Sequence, residues 1–215
     1  MKKLSMVFAV TLVLAGVSYA ASNTVGSVLG YTKITIPSNQ YVLVALDFNT
    51  ESNTINGLFG NLPTGSMVYI WDATAQRYNV ASKSRSGWAL FGTNRIEKGT
   101  GAFLTLPKNF QTTNVIFSGT VPVAETTTVY KANGYALVSY PYPVATAFTN
   151  TTLAKTAASG DLISIWKNNA WTTYSKSRSG WSSGTESLKL NPGQAFFFKT
   201  TKFGSVDELR PYAID

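Results

Sequence analysis

The chain is 215 residues long, with 18 basic and 10 acidic side chains and neither cysteine nor histidine. The two absences exclude disulfide frameworks, thiolate or imidazole metal sites, cysteine nucleophiles and every catalytic triad that uses histidine as base. A net charge of +8, spread along the chain, is too modest to mark a nucleic-acid-binding protein.

Residues 1–20 read MKKLSMVFAVTLVLAGVSYA. Lys2 and Lys3 make a positive leader, residues 6–17 an apolar run, and Ser18-Tyr19-Ala20 a small-x-small cleavage site. This is the pattern of a signal peptide, because the apolar run is too short and wrongly flanked for a transmembrane helix. Cleavage after Ala20 would leave 195 residues with a net charge of +6, bound for the periplasm, cell surface or exterior. No later segment is apolar for long enough to span a bilayer, so no membrane insertion is expected.

Residues 31–37 (YTKITIP) alternate apolar and polar side chains, as a half-buried strand does. Residues 41–48 (YVLVALDF) form a nearly continuous apolar run, suited to a strand covered on both faces. Asn53 opens a short apolar-periodic stretch and predicts an N-capped turn or two of helix, which Gly57 weakens. Residues 66–71 (SMVYIW) and 76–82 (QRYNVAS) predict a hairpin, and residues 101–107 and 114–121 two more strands.

The second half repeats the first. YALVSYPY at 135–142 answers YVLVALDF at an offset of 94, and LAKTAASGDLISIW at 153–166 answers residues 58–71 at 95. SKSRSGW occurs at 82–88 and again at 175–181, an offset of 93, and GQAFFF at 193–198 answers GTGAFL at 94. Asn150 stands where Asn53 stands, as a second predicted N-cap. Self-similarity at a fixed period marks a duplicated unit. The expected organisation is a signal peptide (1–20), a first β repeat (21–118) and a second (119–215), each of about 95 residues. The fold class is mainly β, two tandem β-sandwich or barrel-like repeats, each with one short helix. A single body in which the repeats complete each other's sheets is the alternative.

The order of motifs resembles that in uncharacterised secreted bacterial proteins with tandem β-rich repeats. Thr35-Ile36-Pro37, residues 41–44, Val68 to Trp71 and residues 192–198 carry the likeness. It implies the architecture and no activity.

SKSRSGW supplies the first candidate site. Lys83 and Arg85, with Trp88 behind them, and their copies Lys176, Arg178 and Trp181 would offer cationic and aromatic contacts twice over. Arginine suits carboxylate, sulfate or phosphate, tryptophan presents a flat face to a sugar ring, and two copies gain by effective concentration. The plainer reading makes Gly87-Trp88 and Gly180-Trp181 a turn and a core anchor beside a wet strand face. It carries more weight, because lysine and arginine are usually solvated and tryptophan largely buried. Trp171 has no counterpart in the linear alignment, where Gln76 or Arg77 falls, and is the better candidate for ligand stacking.

No pair of the ten acids occupies matching places in both repeats, no calcium-loop or phosphate-loop motif occurs, and adjacent Ser-Lys pairs on a strand point to opposite faces. Neither catalytic residue, metal nor cofactor is expected. The sequence reading is an exported, non-catalytic surface or matrix protein. It would contact itself or an acidic envelope polymer, with carbohydrate binding through Trp171 and the SKSRSGW faces as the alternative. Its partners would be anionic or neutral polysaccharide or a second copy, and not nucleic acid.

Overall fold

A computed structural model of the chain describes residues 28–130, 134–202 and 204–213. The expected signal peptide lies outside the described residues. The first repeat contains β1 (Leu29–Ile36), β2 (Tyr41–Ala45), α1 (Ile55–Phe59), β3 (Met67–Asp72), β4 (Arg77–Ser84), β5 (Gly87–Ala89), β6 (Gly101–Thr105) and β7 (Thr113–Thr120). The second opens with β8 (Thr126–Tyr130), β9 (Gly134–Ser139), β10 (Thr146–Ala147), α2 (Thr152–Thr156) and β11 (Leu162–Lys167). It continues through β12 (Ala170–Ser177), β13 (Gly180–Trp181), β14 (Lys189–Leu190), β15 (Ala195–Thr200) and β16 (Gly204–Glu208). Among the described residues no helix is long and apolar enough to cross a membrane.

The protein is mainly β, with sandwich-like repeats of one topology. Each half carries an antiparallel five-stranded sheet, ordered β2-β6-β3-β4-β5 and β9-β15-β11-β12-β13. Each also carries a two-stranded ribbon, β1-β7 and β8-β16. In the first half the core lies between sheet, ribbon and helix: Val44, Leu104 and Val68 meet Ile36, Val115 and Phe117 from the ribbon and Ile55 and Phe59 from α1. In the second, Val138, Phe196, Phe198 and Ile163 meet Val206 from the ribbon and Leu153 from α2.

A third core joins the halves. Leu43, Ala45 and Phe103 on the outer face of the first sheet pack against Leu137, Ala195 and Phe197 on the outer face of the second. The central strands are therefore covered on both faces, which is why residues 41–48 read as an uninterrupted apolar run. The same arrangement sorts the Phe196-Phe197-Phe198 run, its outer members entering their own core and Phe197 the shared one. The sheets approach so closely that a Cβ on Gly101 would lie 2.2 Å from that of Ala195. Backbone bonds cross the contact reciprocally. Ala45 donates its N–H to the carbonyl of Gly193 at 3.0 Å, and Ser139 donates to that of Gly99 at 2.9 Å. These pairs sit at the repeat offset of 94, so the halves are related by an internal two-fold. Neither half completes the other's sheet; they stack.

Both helices begin one residue later than the sequence predicts. Thr54 and Thr151 are the N-caps, their hydroxyls accepting from Gly57 and Ala154 at 3.1 Å. Asn53 instead donates its side-chain amide to Glu97 Oε2 at 3.0 Å. Asn caps somewhat better than Thr, so residue type alone favours Asn53, and its contact with Glu97 engages that side chain elsewhere.

Candidate functional site

The two SKSRSGW copies are the β4–β5 and β12–β13 hairpins. Ser84 pairs with Gly87 and Ser177 with Gly180, leaving Arg85-Ser86 and Arg178-Ser179 as two-residue turns. The expected alternation of Lys83 and Arg85 on one strand face therefore stops at Ser84, where β4 ends. Gly87 has φ +122° and Gly180 φ +133°, a conformation glycine adopts freely and other residues do not. Ser84 Oγ donates to the Gly87 carbonyl and Ser177 Oγ to that of Gly180, both at 2.9 Å.

Beneath each turn the tryptophan faces inward. Trp88 donates its indole N–H to the Phe59 carbonyl at the end of α1, and Trp181 donates to the Ala154 carbonyl in α2, both at 3.1 Å. Lys83 Nζ lies 5.8 Å from the Trp88 ring centroid and donates to the Gly60 carbonyl at 2.7 Å. Lys176 Nζ lies 5.6 Å from that of Trp181. Lysine thus covers the ring and, in the first copy, satisfies a carbonyl left open at the helix end. Arg85 and Arg178 stand exposed at the tips.

Trp171 occupies a different place. The strand register sets Trp166 opposite Trp171 and Trp71 opposite Tyr78, so Tyr78 is the counterpart of Trp171. Linear alignment misses this because the second hairpin is two residues shorter, turning through Asn168 and Asn169, both at positive φ. Trp171 remains 41% exposed and Tyr78 37%. The Trp171 ring is held edge-on by Trp166 at 5.0 Å and Phe103 at 5.9 Å, and tilted against Phe197 at 5.4 Å.

Trp171 helps wall a cleft of about 380 Å³ between the halves. Trp71 and Tyr78 come from the first repeat; Tyr135, Phe197, Ser164 and Thr173 come from the second. The hydroxyls of Ser164 and Thr173 are hydrogen-bonded at 2.8 Å. Burial pushes the Tyr78 phenol up to about 12, so it stays protonated and able to donate. Gln76 fixes the neighbouring Tyr135 backbone from both sides, accepting its N–H at 2.9 Å and donating to its carbonyl at 3.0 Å. None of Lys83, Arg85, Trp88, Lys176, Arg178 and Trp181 lines this cleft.

At the two-fold-related place Tyr69 and Val80 stand where the cleft has Ser164 and Thr173. The Tyr69 ring fills that space, edge-on to Tyr41 at 5.6 Å and to Tyr78 at 6.1 Å. The cleft is open on one side because serine stands there where the other side carries tyrosine. Tyr78, Tyr135, Trp71 and Ser164 escape sequence reading, although the Tyr69-to-Ser164 difference at matched strand positions is visible in it.

The three buried acids among the described residues, Asp47, Asp161 and Glu208, hold backbone N–H groups of the framework. Glu208 accepts the N–H groups of Thr152 and Leu153 at 2.9 and 2.8 Å where α2 begins. Asp161 accepts from the N–H groups of Ala158 at 2.7 Å and Thr201 at 2.8 Å. Asp47, within the apolar run 41–48, is 1% exposed; it accepts the Gly193 N–H and a long 3.5 Å bond from Thr32. Burial pushes its carboxyl up to about 7, against the lowering effect of those two donors. Comparison with protein-family models, curated proteins and solved structures finds no match to this chain.

Proposed function

We propose that the protein is an exported, non-catalytic surface protein that binds polysaccharide through the cleft between its two repeats. The observation that carries this reading is the exposed, rigidly held Trp171 ring lining one cleft with Tyr78, Tyr135 and the Ser164–Thr173 hydroxyl pair. Aromatic faces cover the apolar side of a sugar ring, while hydroxyls and a phenol meet its polar edge. Rings locked by their neighbours lose little freedom when a ligand arrives.

The test is retention of residues 21–215 on insoluble neutral glucan, mannan and xylan, with Trp171→Ala alongside. Binding to one of them that falls at least tenfold in the variant supports the reading. No binding to any, or equal binding by the variant, overturns it. A protein that works by assembling with itself would instead sediment as an oligomer and bind none of the three.

A further inference from the structure

A second depression, of about 640 Å³, lies where β1 of the first repeat meets the second repeat. Lys33, Lys167 and Lys189 line it, all three exposed, together with the neutral hydrogen-bonding side chains of Asn191, Gln194 and Thr172. No carboxylate is among its lining residues. Thr172 and Lys167 alternate with Trp171 and Trp166 along β12 and β11, so this groove opens on the sheet face opposite the aromatic cleft.

The repeat provides an internal control on the charge. In the two-fold-related place the hairpin registers put Asp72 where the groove has Lys167. The offset of 94 puts Thr127, Arg95 and Glu97 where it has Lys33, Lys189 and Asn191. The ribbons correspond in space as well: a Cβ on Gly193 would meet Thr32 and Ile34, and one on Gly99 would meet Thr126 and Thr128. One backbone arrangement therefore carries mixed charge on one side and lysine alone on the other. The fold does not require the lysines.

We infer that this groove is a binding site for an anionic polysaccharide segment, its lysines meeting carboxylate or sulfate groups and Asn191, Gln194 and Thr172 meeting sugar hydroxyls. The inference goes beyond the cleft and does not depend on it. Lysine ammoniums act as point charges suited to ring substituents at varied spacing. Stacking on exposed aromatic faces, which single-stranded nucleic acid requires, has no counterpart here, since Tyr174 is the sole aromatic lining residue and is half-buried.

The test measures binding of residues 21–215 to polygalacturonate, dextran sulfate, uncharged dextran and single-stranded DNA, at low and high salt. Three proteins are compared: wild type, Lys33→Gln/Lys167→Gln/Lys189→Gln, and the charge-matched control Lys108→Gln/Lys155→Gln/Lys202→Gln. All six lysines are exposed, so neither triple variant threatens the fold. The expected result is salt-sensitive binding to one or both anionic glycans, at least tenfold weaker in the groove variant and near wild type in the control. Preference for polygalacturonate assigns the site to carboxylates, and preference for dextran sulfate to sulfates. Equal losses in the two variants, DNA binding as tight as glycan binding, or no binding to either anionic glycan overturns the inference. Uncharged dextran, which lacks the groups the lysines would meet, keeps this result separate from the fate of the aromatic cleft.

Discussion

Trp71 and Trp166 do the same thing in opposite directions. Trp71 donates its indole N–H to the carbonyl of Tyr135 in the second repeat at 2.8 Å, and Trp166 donates to that of Tyr41 in the first at 2.9 Å. Each ring also stands edge-on to the phenylalanine of the other half, Trp71 to Phe197 at 5.2 Å and Trp166 to Phe103 at 5.7 Å. A net hydrogen bond contributes about 1 kcal/mol and an aromatic pair about as much. Trp71→Phe and Trp166→Phe should each destabilise by about 1–2 kcal/mol in urea unfolding. A cost confined to one of them would break the two-fold equivalence.

The aromatic cleft should close with one substitution. Ser164→Tyr places in the second repeat the ring that Tyr69 places in the first, and should abolish neutral-polysaccharide binding while the unfolding midpoint stays near that of wild type. The reverse change, Tyr69→Ser, should open a second cleft and raise the number of ligands bound per chain, readable by isothermal titration. Unchanged binding in Ser164→Tyr would show that the ligand does not occupy this space.

In the hairpins, the glycines should matter more than the arginines. A Cβ on Gly87 or Gly180 meets nothing within 4 Å, so the cost of alanine there is the backbone conformation alone, about 1–3 kcal/mol. Arg85→Gln with Arg178→Gln should change stability by less than about 0.5 kcal/mol, as expected for exposed side chains. Trp88→Phe and Trp181→Phe forfeit the bonds to the helix carbonyls and should fall between, at about 1 kcal/mol. Denaturant titration of the set would reveal any inversion of this order.

Asp47 should make stability depend on pH. Below its ordinary value of 3.8 the carboxyl is protonated whether the chain is folded or not. Between about 4 and 7 the unfolded chain releases the proton while the folded protein retains it, so stability falls as pH rises and levels off above 7. Asp47→Asn keeps an acceptor for the Gly193 N–H and cannot ionise. Its Tm should decline less over that window, leaving the variant the more stable protein above pH 7. Parallel declines would place the titrating group elsewhere.

Much of the architecture is legible in the sequence because it is local and stated twice. Alternation in residues 31–37, the apolar run at 41–48 and the turn glycines of SKSRSGW each dictate a conformation within a few residues, and the repeat offset shows each working again. The duplicated heptapeptide is a hairpin whose lysine and tryptophan brace the short helix beside it, most fully in the first copy, where Lys83 reaches the Gly60 carbonyl. The site is less legible. Trp171 stands out by residue type, but its counterpart Tyr78 emerges only from hydrogen-bond register, which a two-residue difference in turn length conceals from linear alignment.

Composition and pattern by themselves determined a mainly β chain, its duplication, and the exclusion of histidine and cysteine chemistry, since these depend on residue types and short-range periodicity. Tertiary structure alone decided that the two sheets stack through a third core, that Asp47 is buried where they meet, and that one side of the two-fold is open where the other is filled by Tyr69. The physical reason is distance along the chain. Trp71 and Tyr135, or Asp47 and Gly193, are brought together by packing between separate repeats, and nothing in the few residues around either one encodes its partner.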